Sequence, residues 1–135
     1  MLIGVLGLTT AATTAGANQQ TAGAVASHGT LFHRTDLYFG RDRPGGEVTE
    51  EEFSHFMDVE VTKRFPDGLT LLSGQGQWQD ESGTVVKEKS KLLILLYPLS
   101  DRQADREIEE IRTAYKAQFQ QSSVLRVDTL DQVSF

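Results

Sequence analysis

The sequence predicts an α+β domain of the ferredoxin-like type, with element order β-α-β-β-α-β, a four-stranded antiparallel sheet and two helices packed on one face. Two observations support this prediction. Two segments carry apolar residues at helical spacing, and four others show the alternating or continuous apolar pattern of strands. The order of these segments along the chain then gives the topology, in which the first and third strands are central.

The first strand is predicted over Thr35–Phe39, where apolar and polar positions alternate. A turn-rich loop follows, after which Thr49 and Glu52 have the spacing of a capping box. Apolar residues then recur at helical spacing until Pro66–Gly68, a sequence that ends helices. The first helix is therefore predicted from about Thr49 to Arg64.

The middle of the chain predicts a long β-hairpin. Its arms are Leu69–Gln79 and Thr84–Tyr97, joined by the turn residues Asp80–Gly83. The second arm contains Leu92–Leu96, a continuous apolar run that fits a central strand covered on both sides. A buried helix is the alternative, and Pro98 directly after the run favours the strand.

The second helix has the clearest pattern in the chain. We expect Ser100 to cap it, with Gln103 completing a second capping box. A one-sided apolar stripe follows, at Ala104, Ile108, Ile111, Tyr115 and Phe119. A last short strand is predicted over Ser123–Asp128.

Composition excludes several classes of function. The chain has 135 residues, enough for one domain, and its 19 acidic and 13 basic side chains give a net charge of -6. This charge repels the phosphate backbone, so no nucleic-acid partner is expected. The absence of Cys excludes disulfides and thiolate chemistry.

The N-terminal segment differs from the rest, because no charged side chain precedes Arg34. An apolar run over Met1–Leu8 is followed by small-residue triplets at Ala15–Ala17 and Ala24–Ala26, the pattern of a signal peptide, although a basic start is missing. Residues 1–26 are thus predicted as a signal peptide, or otherwise a disordered N-terminal arm, ahead of one domain over residues 34–135. We expect export to the periplasm or beyond, with a cytoplasmic location as the alternative. The apolar run is far shorter than the ~20 residues of a membrane span, so none is expected in the mature form.

Several short motifs resemble a bacterial family of small, often exported domains of unknown function. The most specific are Phe65–Thr70, which reads Phe-Pro-Asp-Gly-Leu-Thr, and Gly76–Trp78, which reads Gly-Gln-Trp. Leu37–Gly40, Ser90–Lys91 and Ser123–Val124 extend the match over most of Arg34–Phe135. The family places an acidic residue before the Ser-Val pair, where this chain has Ser122. The resemblance implies a domain boundary and export, and no catalytic residue.

The candidate binding site is the sheet face that the helices leave free. Taking its residues to be the polar ones of each strand gives Asp36 and Tyr38 from the first strand, Arg126 and Asp128 from the last, and Gln75 with Gln77 or Lys89 with Lys91 from the hairpin, depending on register. Such a set could orient a small polar ligand. The alternative is that a sheet face in water is polar in any case.

Trp78, the only tryptophan, lies next to glycines and is a further candidate. We expect it to pack across the hairpin, whose glycines allow twisting, and the alternative is a platform on which a ligand stacks. The three histidines show no metal-ligand spacing, so no metal and no cofactor are expected.

Two classes of function remain. The first is a non-enzymatic binding or interaction module that binds a small polar ligand or a protein. The second is a cofactor-independent enzyme of the dimeric α+β-barrel type, acting on a small polar or aromatic substrate, with Tyr38, Asp36 or Arg126 as acid, base or anion clamp. Because the long hairpin and the uncovered face leave edges and surface unpartnered, we expect a homodimer.

Overall fold

A computed structural model describes residues 28–135 and has the predicted ferredoxin-like architecture. The predicted signal peptide, residues 1–26, lies outside the described residues. The elements are β1 (Thr30–Gly40), β2 (Asp42–Arg43), β3 (Gly46–Glu47), α1 (Glu50–Phe56), β4 (Thr70–Gln79), β5 (Val85–Pro98), α2 (Ala104–Phe119) and β6 (Leu125–Val133).

The main sheet has four strands in the order β4-β5-β1-β6, every neighbouring pair antiparallel. The two central strands are β1 and β5, as the sequence predicts. The short strands β2 and β3 pair with each other in the turn-rich loop. Between residues 28 and 135 no helix combines the length and apolarity that a membrane crossing requires.

The hydrophobic core lies between one face of the sheet and the helices. Side chains from β1 and β5 alternate into it, and α1 and α2 contribute their apolar stripes. The most completely buried large side chains are Leu37, Phe39, Phe53, Phe56, Leu93, Leu95, Ile108, Ile111, Tyr115 and Phe119. The apolar run in β5 is therefore a central strand, as predicted.

The first helix is shorter than predicted and changes its winding. The capping box forms, since Thr49 Oγ1 accepts the Glu52 N–H and the Glu52 carboxylate accepts the Thr49 N–H. After Phe56 the chain continues as a π-helical turn over Met57–Val61. Apolar spacing alone predicts a helix and does not distinguish this wider turn from an α-helical one.

Three other predicted boundaries are wrong. Strand β1 begins at Thr30 rather than Thr35, and β6 extends to Val133 rather than Asp128, because these two strands pair along their whole length. Helix α2 is not capped by Ser100. Asp101 caps it instead, and its Oδ1 accepts the N–H groups of Gln103 and Ala104 at 3.0 and 3.1 Å.

Tyr115 connects α2 to the end of β1. Its ring is fully buried and contacts Phe39 edge-on, with ring centroids 4.6 Å apart. Its hydroxyl donates to the Gly40 carbonyl oxygen at 2.8 Å. Burial raises the pKa of Tyr115 above its ordinary value, so the hydroxyl remains a donor at any physiological pH. This bond fixes the position of the last residue of β1.

The Tyr115 hydroxyl provides the first testable prediction. Replacing Tyr115→Phe leaves the Gly40 carbonyl without this donor, and we expect the free energy of unfolding to fall by about 1 kcal/mol. Tyr38→Phe is the matched control, since the exposed Tyr38 hydroxyl makes no side-chain hydrogen bond within residues 28–135 and its loss should change little. Urea denaturation of both variants measures the difference, and equal midpoints would contradict the assigned role.

Candidate functional site

The sheet face opposite the helices is largely apolar, not polar as predicted. This surface, here called the open face, is defined by side chains that pair across the strands on the side away from the core. Six large apolar side chains on it are between 39% and 58% exposed: Tyr38, Leu72, Trp78, Leu96, Leu125 and Val127. Exposed apolar residues gathered on one surface commonly mark an interaction site.

Two predicted site residues, Asp36 and Tyr38, do lie on the open face. Tyr38 is opposite Leu92 and Leu125 in the neighbouring strands. Asp36 is already engaged, because its carboxylate accepts two hydrogen bonds from the Arg34 guanidinium at 2.8 and 3.0 Å. Its charge is therefore neutralised within the face.

Arg126 does not lie on the open face, which corrects the prediction. It is opposite the buried Leu37 and so points to the helix side of the sheet. There it forms ion pairs with Asp105, Glu109 and Asp128 at 2.8, 2.8 and 2.9 Å. The acidic residues of α2 hold this side chain, so it is not available as an anion clamp for the open face.

Hydrogen bonds in this cluster shift pKa values. Burial would lower the pKa of Arg126, but its hydrogen bonds to Glu109, Asp128 and Asp105 outweigh that effect and raise it. The hydrogen bonds from Arg126 and Arg112 in turn lower the pKa of Glu109. Asp128 also accepts from Thr35 Oγ1 at 2.6 Å. This cluster connects β6 to α2 and serves the fold.

The hairpin candidates are also on the helix side. Gln75 pairs with Lys89 and Gln77 with Lys87, in the same register that buries Lys91 opposite Ser73. Lys91 is 6% exposed, and its ammonium group is 2.8 Å from Glu50 and 2.9 Å from Ser73 Oγ. The glutamines thus lie on the helix side of the hairpin rather than on the open face.

Trp78 is on the open face, where its side chain is half exposed. A β-carbon on Gly76 would be 4.0 Å from Trp78 Cζ3, so the indole lies back along its strand above that glycine. The rest of the ring faces solvent, 47% of the residue being exposed. Packing within the hairpin, the role favoured by the sequence, accounts for only part of the ring surface.

A cavity of about 510 Å³ lies at the end of the open face, between the projecting hairpin and the loop after α2. Its walls include two predicted site residues, Tyr38 and Trp78, together with residues that were not predicted for the site: Gly40, Asp42, Glu88, Gln120, Gln121, Ser122, Ser123 and Leu125. The register of the hairpin brings Glu88 and Trp78 onto one face. The alternation of hairpin residues between two faces is the only sequence signal for this shared position, and it is useful only once the face of Trp78 is known.

The loop after α2 forms one wall of this cavity and is held in an unusual backbone conformation. Gln120 has φ 55 and ψ 42, the only non-glycine residue with positive φ in the described part of the chain. The next residue, Gln121, donates its side-chain amide to the Asp42 and Phe119 carbonyl oxygens at 2.5 and 3.3 Å. The loops after β1 and after α2 are therefore tied together at the rim.

The conformation of Gln120 provides the second prediction. An L-residue in this region costs about 1 kcal/mol relative to glycine, so Gln120→Gly should stabilise the protein by up to that amount. Gln120→Ala keeps the same backbone penalty and serves as the control, with little change expected. Thermal or urea unfolding distinguishes the two, and a destabilised glycine variant would mean that the Gln120 side chain contributes contacts beyond its backbone position.

Comparisons with known proteins support the fold and place the chain among its relatives. The sequence model of a family described as a protein of unknown function, DUF3574, matches residues 34–135. No protein of curated function matches the sequence. A phage SAM lyase in complex with S-methyl-5'-thioadenosine is structurally similar, with TM-score 0.57 and 13% identity, covering 77% of this chain and 90% of the lyase. CutA from Synechococcus elongatus is similar at TM-score 0.51 and 10% identity, covering 78% and 81%.

Proposed function

The chain belongs to the DUF3574 family, whose function is unknown, and we propose that it is a non-enzymatic interaction module that pairs with a second copy of itself through the open face. The observation that carries this proposal is the group of large apolar side chains exposed there, from Tyr38 to Val127. Covering such a surface is favourable because apolar area leaves water.

The dimensions of the open face suit a dimer. Four strands at ~4.8 Å spacing and ten residues at ~3.3 Å give a projected area of ~600 Å², against ~800 Å² per partner in a standard interface. A second depression of about 350 Å³ lies at the other end of the face, bordered by Phe32, Leu96 and Phe135, and has room for side chains of a second copy. Two copies of one twisted sheet can pack face to face in alignment.

The charges of the open face favour a second copy over a charged partner. Arg34 is 2.8 Å from Asp36 and 3.6 Å from Asp131, so these three ionic groups of the face are paired with one another. An isologous interface needs such a self-complementary surface, because the same patch contributes both sides. The net charge of -6 makes two copies repel at long range, so salt should strengthen the dimer by screening.

The third prediction tests this interface with the full-length chain. Val127→Lys places a charge on the open face, on the edge strand β6, and should weaken dimerisation at least ~tenfold, since the ammonium would have to be desolvated. Leu130→Lys is the matched control, because Leu130 is on the same strand but opposite His33 on the helix side, and is 59% exposed. Sedimentation over a range of concentrations, at low and high salt, measures both.

Three outcomes would contradict a dimer formed through the open face. A parent chain that stays monomeric at high micromolar concentration excludes it directly. Equal weakening by both lysine variants would show that the open face is not the contact surface. A dimer that dissociates as salt is added would point to an ionic interface instead.

A second candidate is the cofactor-independent enzyme of dimeric α+β-barrel type. It is favoured by the cavity at the open face, where Tyr38 and the Glu88 carboxylate border one space, and by the structural similarity to a phage SAM lyase. This candidate lacks its proposed anion clamp on the open face, because Arg126 is held in ion pairs on the helix side. Consumption of S-adenosylmethionine by the full-length chain separates the candidates, since the interaction module predicts none.

We also propose that the protein acts outside the cytoplasm, supported by the uncharged segment before Arg34 and its small-residue triplets. The fourth prediction is a mature chain beginning near Asn18 or Ser27. Mass spectrometry of the protein from its native host measures this terminus. Recovery of an intact Met1 from the cytosol would contradict export.

A further inference from the structure

The cavity at the end of the open face is formed because the hairpin extends past β1. The pairing of β1 with β5 ends at Gly40 and Ser90, whereas β4 and β5 pair as far as Gln79 and Val85. The unpaired part of the hairpin overhangs the end of β1, and the loop after α2 closes the opposite side. A cavity of about 510 Å³ is within the range of small-molecule sites.

One wall of the cavity is aromatic and apolar. Trp78 and Tyr38 are 47% and 39% exposed, and Leu125 adjoins them. The indole lies along the strand beside Gly76, and Trp78 borders the cavity with much of its surface exposed. Aromatic surfaces of this kind stack on planar groups and attract cations through the negative potential of the ring face.

A second wall is formed by two acidic residues, Asp42 and Glu88. Glu88 Oε1 accepts the Asp42 N–H at 2.9 Å, which orients its carboxylate, and a β-carbon on Gly40 would collide with it. Within residues 28–135 neither carboxylate takes part in an ion pair. No basic side chain lines the cavity.

These features select the charge of a ligand. Two carboxylates without cationic partners repel an anion and attract a cation. The amide and hydroxyl groups of Gln120 to Ser123 can hydrogen-bond either type of ligand and do not offset the negative charge. The aromatic wall adds a preference for a planar apolar group next to the charge.

We propose that this cavity binds a small organic cation that carries a planar aromatic group, with the ring against Trp78 and Tyr38 and the cationic centre at Glu88 and Asp42. The cavity lies at one end of the open face and shares Tyr38, Trp78 and Leu125 with it. This site goes beyond the proposed dimer, because it assigns the protein a second, small-molecule partner.

The fifth prediction uses three probes of the same shape that differ in charge: phenethylammonium, 2-phenylethanol and phenylacetate. We expect phenethylammonium to bind with millimolar affinity or better, at least ~tenfold more tightly than the neutral alcohol, and phenylacetate not to bind. The fluorescence of Trp78, the only tryptophan, reports binding at the site itself, and calorimetry gives the affinity.

Two variants test the assigned walls. Glu88→Gln keeps an oxygen to accept the Asp42 N–H but removes the charge, so it should cost phenethylammonium ~tenfold in affinity and leave 2-phenylethanol unchanged. Trp78→Leu should weaken both probes. Glu81→Gln, at the exposed turn of the same hairpin and outside the cavity, controls for the change in net charge and should bind like the parent.

Because Tyr38, Trp78 and Leu125 belong to both the cavity and the open face, the oligomeric state is measured together with binding. Binding of phenethylammonium no tighter than that of 2-phenylethanol, or no detectable binding at millimolar concentration, overturns the proposal. So does an equal loss in Glu88→Gln and Glu81→Gln. Sedimentation of each variant in parallel shows whether the oligomeric state has changed, and Val127→Lys, which lies outside the cavity lining, should retain the probe preference even as a monomer.

Discussion

The hydrogen bond from Tyr115 to Gly40 fixes the geometry on which the rest of this structure depends. The Tyr115 ring is packed among Phe39, Phe53 and Phe56, with centroid distances of 4.6, 5.9 and 5.2 Å, so β1 and both helices meet around one side chain. Its hydroxyl then holds the carbonyl of the residue at which β1 ends. Because the cavity begins at that residue, the core determines where the loop after α2 lies relative to the hairpin.

The fold could be predicted because its signals are local. The capping box at Thr49 and Glu52 and the apolar stripe of α2 each depend on spacings within a few residues, and they formed as expected. The central position of β5 follows from its continuous apolar run. The start of β1 and the end of β6 could not be predicted, because the residues there are strand only through pairing with each other across the sheet.

Half of the predicted site residues, Gln75, Gln77 and Arg126, lie on the helix side, because alternation divides a strand into two sets without saying which set faces the helices. In β6 the natural assumption is that Leu125 and Val127 face the core and that Arg126 faces water. The structure has the opposite arrangement, since Asp105 and Glu109 of α2 bind Arg126 at the helix side. Assigning the apolar residues of a strand to the core side fails where the open face is itself apolar, which is the property expected of a face that binds a partner.

The two faces of the hairpin differ in polarity, and this difference restricts how the protein can associate. Lys87 and Lys89 lie on its helix side with Gln75 and Gln77, where exposed lysines discourage edge pairing with another strand. Trp78 lies on its other side. Desolvating the lysines would cost more than covering the indole, so the open face is the side on which contact with a second molecule is favourable. The same division places Glu88 and Trp78 together at the cavity, because a period of two puts every second hairpin residue on one face.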